Sequence, residues 1–556
     1  MSDTLEFQIT DIVSDDIPDG FNQKQFLITI YGIDSNNDRV VVHVKKYNPY
    51  FYIKIPDDWD GLILSKFLKD VCGLKSADDD KKDKIFSDIV KYETETCNEF
   101  YGLQWNIQEN KPKKFNFAKI SFKTHDSMKK YTSLLIKHYN LKDTKSLPST
   151  TSLDRLNEWR NTPTSADCNS NLYESSIHPI IRFIHDSKIE PTGWISIKII
   201  EESTYLFPKC KYDYHTNFED VKPLKKDDLS DYRIASFDIE CDSLHGDFPQ
   251  AKKNFKKLSA DIFDSLQSIL KQLGDERYTE FSNNISSKIL KLLKSGFNGE
   301  DLTNSIWKYS NVNQIKTVND ELPTDELLND IVNEINKTDI CEKIKDKNIK
   351  NKDREYTINQ LQDIIENECN KIELRVEGDP IIQIGTVFYD YSSKNIHRHI
   401  LVIGDKDGLK KGEICDPIEG IEVVECEDEK ELLLKWKDII VDMDPDFITG
   451  YNIFGFDFKY ICDRAEVLFP CVHGCNAPWW HSKGCPMKEF LNFGKINSTL
   501  YKAKDHKSKK CQSKKQQLSS GALGDNTLNY ITMDGRILFD IQKEVQKGHN
   551  LESYKL

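Results

Sequence analysis

Two spacing rules alternate along this chain. Near its start, Phe26-Leu-Ile-Thr-Ile-Tyr31 and Arg39-Val-Val-Val-His-Val44 are short β-branched or aromatic runs separated by the turn-forming Asp34-Ser-Asn-Asn-Asp38, so both predict strands. Pro49-Tyr-Phe-Tyr-Ile-Lys-Ile-Pro56 predicts a third, closed by proline. From Asp58 to Val71 the apolar residues Leu62, Leu64, Phe67, Leu68 and Val71 fall near helical spacing. Phe117–Phe122 and a helix around Met128–Tyr139 repeat the alternation, while Asp143 to Ala166 is polar and reads as a loop. The first part of the chain, residues 1–228, therefore predicts a mixed α/β domain.

A second block, 229–556, opens on the strand pattern Arg233-Ile-Ala-Ser-Phe-Asp-Ile-Glu240. Pro380-Ile-Ile-Gln-Ile-Gly-Thr-Val-Phe388 and His397-Arg-His-Ile-Leu-Val-Ile403 predict two more strands. Glu429–Met443 predicts a helix with Leu432, Leu433, Trp436, Ile439 and Ile440 on one face. Strand, strand, strand, helix is an α/β layout. Between the first two of those strands, residues 251–373 follow helical spacing instead. Ile262, Phe263, Leu266, Ile269, Leu270 and Leu273 recur in this way, as do Leu327, Leu328, Ile331 and Ile335. Thr324 before Asp-Glu supplies a cap and an acidic first turn. A structureless loop of that length is uncommon, so this segment predicts an inserted helical subdomain.

Composition narrows the classes. At roughly 100–200 residues per domain, 556 residues suggest about three or four units. With 28 Phe, 23 Tyr and 8 Trp there is ample material for cores, which excludes wholesale disorder. No apolar run approaches the ~18–20 residues of a membrane span. The start, Met-Ser-Asp-Thr-Leu-Glu, lacks signal-peptide regions, and 14 Cys without an export signal predict reduced thiols inside a cell. A net charge of −14 argues against a non-specific nucleic-acid coat, although local patches and metal ions let an acidic enzyme act on DNA.

The candidate chemistry lies in carboxylates. Asp238 and Glu240 stand at i and i+2 of an otherwise apolar strand, so they share a face. Like charges so placed repel unless a cation lies between them, and oxygen-only ligands suit Mg²⁺ or Mn²⁺. A strand end emerging into solvent is the bland alternative. The second cluster is Asp444-Pro-Asp-Phe-Ile-Thr-Gly-Tyr-Asn-Ile-Phe-Gly-Phe-Asp457, in which a short strand ends at Gly450 and Phe456-Asp457 opens a helix running through Glu466. An acid at a helix start is ordinary dipole chemistry, which accounts for Asp457 but not for its company.

Ser236-Phe-Asp-Ile-Glu-Cys241 resembles the first exonuclease motif of the family B DNA polymerases, and Thr449-Gly-Tyr-Asn-Ile-Phe-Gly-Phe-Asp457 resembles the second. Gly378-Asp-Pro-Ile-Ile-Gln-Ile-Gly385, Gly535-Arg-Ile-Leu-Phe-Asp540 and Leu551–Leu556 are similar to further segments of the delta-type catalytic subunits in that family. In the first block Pro49-Tyr-Phe-Tyr-Ile, Tyr173-Glu-Ser, Arg182-Phe-Ile-His-Asp186 and Gly193-Trp194 are similar to its N-terminal domain. The resemblance runs in family order over nearly the whole chain outside the insertion and the polar loops.

It implies a ribonuclease-H-like 3′→5′ proofreading exonuclease in which four acids hold two divalent metal ions. Carried over by position, Asp238 bridges the metals, Glu240 completes one site, and Asp457 helps hold the other. Asn452 and Phe456 sit by the last nucleotides, Phe456 through packing or stacking on a base; plain core packing is the alternative for Phe456. The family's fourth acid, in a Tyr-x3-Asp motif, follows the segment resembled by Ser553-Tyr-Lys-Leu556. Tyr530-Ile-Thr-Met-Asp534 and Tyr501-Lys-Ala-Lys-Asp505 fit that pattern out of context, and nothing resembles the polymerase palm motifs. The expectation is thus the N-terminal portion of a longer replicative polymerase. The DNA 3′ end is its substrate, and a sliding clamp and accessory subunits are its implied partners. Lys over Arg and frequent Asn read as AT-rich codon usage, which points to a large DNA virus or a protist. The expected location is the nucleus or a viral replication site. The rival readings are a non-catalytic DNA-binding or adaptor fragment and a stand-alone exonuclease of the same superfamily.

Two weaker signals remain. Lysines 502, 504, 507, 509, 510, 514 and 515 crowd a segment whose position matches the family's β-hairpin, which helps part primer from template. Lys507, Lys509 and Lys510 are candidate phosphate contacts, against a plain solvated loop. Cys471, His473, Cys475, His481 and Cys485 surround Trp479-Trp480; they could bind zinc, but their spacing departs from common knuckles.

Overall fold

The computed structural model describes residues 4–18, 24–73, 83, 85–98, 104–140, 172–203, 210–243, 248–302, 305–404, 412–469, 486–495, 514–520, 524–549, 551 and 553–554. Lys507, Lys509, Lys510, the Cys/His cluster at 471–485 and the polar loop at 143–166 lie outside these residues.

The architecture is mixed α/β. The early part of the chain holds two sheets. A seven-stranded one is built around Thr4–Pro18, Lys24–Asp34 and Arg39–Lys45. A four-stranded one has the order Ile89–Asn98, Lys114–Phe122, Tyr50–Ile55, Leu172–Tyr173. In the second, every other residue of Tyr50–Ile55 and Lys114–Phe122 (Phe51, Ile53, Ala118, Ile120) turns inward. There they meet Phe67, Leu68 and Val71 of the Gly61–Gly73 helix and Met128, Tyr131 and Leu135 of the His125–Asn140 helix. Period two meets period 3.6 across one core.

Later in the chain a six-stranded sheet has the order Glu422–Cys426, Ile396–Ile403, Ile381–Asp390, Arg233–Cys241, Phe447–Gly450, Ile537–Asp540. Arg233–Cys241 runs antiparallel to Ile381–Asp390 and parallel to Phe447–Gly450. Its odd positions, Ala235, Phe237 and Ile239, are buried, and the helices Glu429–Met443 and Asp457–Leu468 contribute to the same core. Trp436 is fully buried with its ring 5.0 Å from Phe237, and its indole N–H donates to Thr386 Oγ1 at 3.2 Å. Burying each such side chain contributes roughly 1.5–3 kcal/mol. The Glu429–Met443 helix starts where it does because Asp428 accepts the Glu431 N–H at 2.7 Å.

Between Arg233–Cys241 and Ile381–Asp390, helices Lys256–Gln272, Asp275–Asn283, Ile285–Asn298, Asp325–Asn336, Ile340–Lys345 and Asn351–Asn370 close around a separate apolar core that includes Leu266, Leu292, Leu328, Ile335 and Leu361. The segment is rooted by a tight stem. Asp379 N–H donates to Gln250 O at 2.8 Å, Gln250 N–H donates back to Asp379 Oδ2 at 2.9 Å, and Lys253 pairs with Asp379. Gly378 presses on the Ala251 carbonyl so closely that a Cβ there would lie 2.1 Å from its oxygen. Beneath the stem, buried Arg464 and Glu429 form an ion pair, and their spare atoms bind the Ala251 carbonyl and the Ile381 N–H.

The early sheets join the later one through Asp446, which is fully buried. It accepts from Arg39 Nη2 at 2.8 Å, Arg233 N–H at 2.9 Å and Lys495 Nζ at 2.7 Å. Burial alone would raise its pKa. Lys495, Arg39 and the Arg233 N–H outweigh that and hold it below the usual carboxylate range.

Candidate active site

The strand that carries Asp238 and Glu240 alternates as its pattern predicts: Phe237 and Ile239 are buried, Asp238 and Glu240 exposed. Its neighbour Phe447–Gly450 ends against it. Gly450 is needed at that end, because a Cβ there would lie 2.5 Å from Phe237 O and 2.6 Å from Ile453 Cγ2. The chain then turns through Asn452, which adopts φ 61°, a left-handed conformation that asparagine tolerates better than most residues. After one loop it enters the Asp457–Leu468 helix.

This path brings Asp457 back to the Asp238 strand from more than two hundred positions away. Asp457 is only 2% exposed, and its Oδ1 accepts the Ile239 N–H at 3.3 Å. Burial, the neighbouring Asp238 charge and a hydrogen bond with the Asp238 carboxyl push its pKa up to about 7. Two carboxyls from separate elements therefore meet at one hydrogen bond. Glu240 is on the same strand face as Asp238 and is exposed. Among the described residues no group of three or more His, Cys, Asp or Glu side chains has the geometry to hold a metal ion. Of the three acids singled out in the sequence, the fold brings two together and leaves the third exposed beside them.

Asn452 and Phe456 lie on the loop that leads to Asp457. The Phe456 ring is half-buried, 5.3 Å from Tyr460 and 5.7 Å from Phe248. Phe248 itself is 74% exposed, an apolar ring held in solvent against Phe456. Its only signal in the chain is one Phe within a polar stretch, just past the first motif. A second residue missed is Asp540, 2% exposed at the end of its strand. Its carboxylate accepts the N–H groups of Asn452 at 2.8 Å, Phe454 at 3.1 Å and Gln542 at 3.0 Å, so it shapes the loop leading to Asp457 while capping the next helix. Its signal was its place at the end of Gly535-Arg-Ile-Leu-Phe-Asp540, a segment similar to the family, where an acid follows apolar residues at a helix start.

Residues 514–530 form the antiparallel pair Lys514–Ser520 and Gly524–Tyr530, reached from the lysine-rich segment. The outgoing strand touches the site loop. Asn529 N–H donates to Phe454 O at 2.9 Å, and the Tyr530 and Phe454 rings meet edge-on at 6.1 Å.

Comparison with known proteins agrees with this geometry. The family model described as "DNA polymerase family B, exonuclease domain" matches residues 170–265 and 329–556. The DNA polymerase of Pyramimonas orientalis virus is 29% identical over 564 residues, covering 96% of this chain and 40% of that protein. The DNA polymerase of Phaeocystis pouchetii virus is 26% identical over 592 residues, covering 96% of this chain and 51% of that protein. The DNA polymerase delta catalytic subunit of Plasmodium falciparum is 22% identical over 548 residues, covering 95% of this chain and 32% of that protein. The chain thus spans about half or less of the length of these relatives.

Proposed function

Because this chain belongs to the family B DNA polymerases, by way of their exonuclease domain, we propose that it removes nucleotides from the 3′ end of DNA and forms the N-terminal part of a replicative polymerase. The observation that carries the reading is the meeting of Asp238 and Asp457. The fold proposed for 229–556 is ribonuclease-H-like, interrupted by the helical insertion 251–373, and 1–228 is proposed as a separate N-terminal domain.

The donor set fits hard divalent cations such as Mg²⁺ or Mn²⁺. Two carboxyls held this close offer the space between them to a cation. Asp238 and Asp457 would hold the ions, with Glu240 reaching in from the same strand face. When bound, such ions supply Lewis-acid stabilisation to the attacking and leaving oxygens of an in-line displacement. The chain's own groups do the rest. The Ile239 N–H fixes the Asp457 carboxyl, and the Asp540 carboxylate fixes the loop before it. Phe456 and Phe248 offer aromatic surfaces on which an unpaired base stacks, and Asn452 offers a carboxamide beside them. Lys507, Lys509 and Lys510 are proposed to meet phosphates, so DNA affinity falls as salt rises. The products are nucleoside monophosphates. A sliding clamp and accessory subunits are the proposed protein partners, at the replication site of a virus or cell.

The test is degradation of a 5′-labelled oligonucleotide with Mg²⁺ by the full-length protein and by its Asp238→Ala variant. Losing several kcal/mol of transition-state stabilisation corresponds to a fall on the order of 10³-fold. That the described residues hold no group of three acids fit for a metal ion favours one rival, a DNA-binding adaptor without turnover. Equal, metal-independent background rates for both proteins, with DNA still bound, would establish that rival instead.

A further inference from the structure

A glycine inside a strand calls for a reason, because it weakens the strand through chain entropy and missing side-chain contacts. Gly32 and Gly450 have one: a Cβ would run into the Phe7 ring in the first and the Phe237 carbonyl in the second. Gly385, in the middle of Ile381–Asp390, has no such neighbour. Its φ is not in the left-handed region that favours glycine. A Cβ built on it meets no described atom within 4 Å. Where neither conformation nor packing requires it, a strand glycine marks a place at which something approaches the backbone closely.

The register puts that gap beside the acids. Gly385 is the direct partner of Asp238 on one flank and of Ile400 on the other. The three share the sheet face that points away from the core of Phe237, Ile384 and Trp436. Asp457 comes to Asp238 by way of Phe447–Gly450, which lines the opposite flank of the Asp238 strand. Asp238 thus has the second acid on one side and bare backbone on the other. Gln383 and Val387, opposite Glu240 and Ser236, keep their side chains on this face. The gap is therefore one residue wide, a notch walled on its far side by Ile400.

We propose that Gly385 forms a substrate subsite, a notch that takes the deoxyribose of the terminal nucleotide while its phosphodiester lies at Asp238 and Asp457. The inference rests on the exonuclease reading above and deepens it by giving the sugar a place. Directly opposed residues of antiparallel strands have their Cβ atoms about 4.5–5.5 Å apart, so the notch lies within reach of a sugar esterified to a phosphate at Asp238. The sugar carries no hydroxyl at its 2′-carbon, and Ile400 offers that carbon an apolar wall.

The experiment uses the full-length protein with Gly385→Ala and Gly385→Val. A Cβ enters open space and removes freedom from the unfolded chain, and valine favours strands, so both variants are expected to melt at or slightly above the wild-type temperature. A valine that lifts the sugar by about 1 Å is expected to lower kcat/KM for Mg²⁺-dependent degradation of a single-stranded oligonucleotide about 10²-fold, with alanine intermediate. Two measurements without turnover separate an excluded substrate from damaged acids. Calorimetric titration with Mn²⁺ in the absence of DNA is expected to give one affinity for all three proteins, because Asp238 and Asp457 are untouched. Thymidine 5′-monophosphate added with Mn²⁺ is expected to bind the wild type and to fail to bind Gly385→Val. The proposal is overturned if Gly385→Val degrades DNA or binds the monophosphate as the wild type does. It is overturned equally if that variant melts well below the wild type or loses Mn²⁺ affinity, since the glycine then serves the fold or the acids. Failure of the exonuclease reading is distinct: the wild type then shows no Mg²⁺-dependent degradation at all, and the subsite falls with it.

Discussion

The six-stranded sheet and the helical insertion have apolar cores of similar size, yet they treat charge in opposite ways. Around the sheet, Glu429, Asp446, Asp457, Arg464, Lys495, Arg536 and Asp540 are all buried. In the insertion the buried polar residues, among those described, are hydroxyls, Gln267 and one carboxylate, Glu368, paired with exposed Lys371. Several buried charges of the sheet region sit at joints. Arg464–Glu429 is under the stem, Asp446 lies between the early and late sheets, Asp540 is under the site loop, and Asp457 is at the site. Burying an ion is costly and adds little net stability against an apolar replacement, whereas removing one partner leaves the other stranded. The difference teaches that in this molecule packing supplies stability everywhere, and buried charge is kept where two elements must meet at one defined angle.

This contrast can be broken by substitution. Glu429→Ala strands Arg464 and frees the Ile381 N–H, so a loss of about 3–5 kcal/mol is expected in denaturant melts, with the exonuclease lost alongside. Leu328→Ala, deep in the insertion, is expected to cost about 2–5 kcal/mol, confined to an early transition of the helices, with Mg²⁺-dependent degradation retained at temperatures below it. If both variants unfold the whole chain in one step, the two regions are not energetically separate.

The smallest effect sharpens the comparison at a half-buried joint. Burial, with the charge of Asp534 adding to it, pushes Asp11 up from 3.8 to about 6, against opposing backbone N–H bonds from Gly535 and Ile12. A carboxyl whose folded pKa is raised favours the protonated fold. Its contribution is present at low pH and is lost as pH climbs from about 4 through about 6. Asp11→Asn should therefore gain about 1 kcal/mol at pH 7 and flatten the stability profile across that window, as read from thermal melts at each pH. A steeper profile in the variant would reverse the sign assigned to this group.

Much of this was legible in the chain because the pattern and the packing agree. The alternation of Phe237 and Ile239 with Asp238 and Glu240 gave the strand and the face of its acids. The insertion's helices follow mainly from Leu and Ile spacing, and Thr324 caps the one it was expected to start by accepting the Leu327 N–H. What escaped is what long-range contact decides. Thr4–Pro18 was not read as a strand because its register shifts between Ile9 and Asp11, and acids interrupt its alternation. Ile89–Asn98 pairs at a sheet edge with mostly exposed residues, so its Lys, Glu and Thr left no apolar signature. Asp540 and Asn529 act on backbone atoms of a loop distant in sequence, which no local pattern encodes. Glu240 shows the opposite limit: strand periodicity gives its face, but no group of three acids fit for a metal ion forms there among the described residues.

The stem of the insertion has one more consequence. Because Gln250 and Asp379 exchange backbone and side-chain hydrogen bonds, the sheet meets the whole helical module as though it were a tight turn. The chain-closure entropy of a long detour is absorbed by the module's own core and not charged to the sheet. New chain termini, a fluorescent tag or a foreign domain placed within those helices should therefore leave the strand pairing of Arg233–Cys241 with Ile381–Asp390 intact, which makes the module a natural handle for following this molecule on DNA.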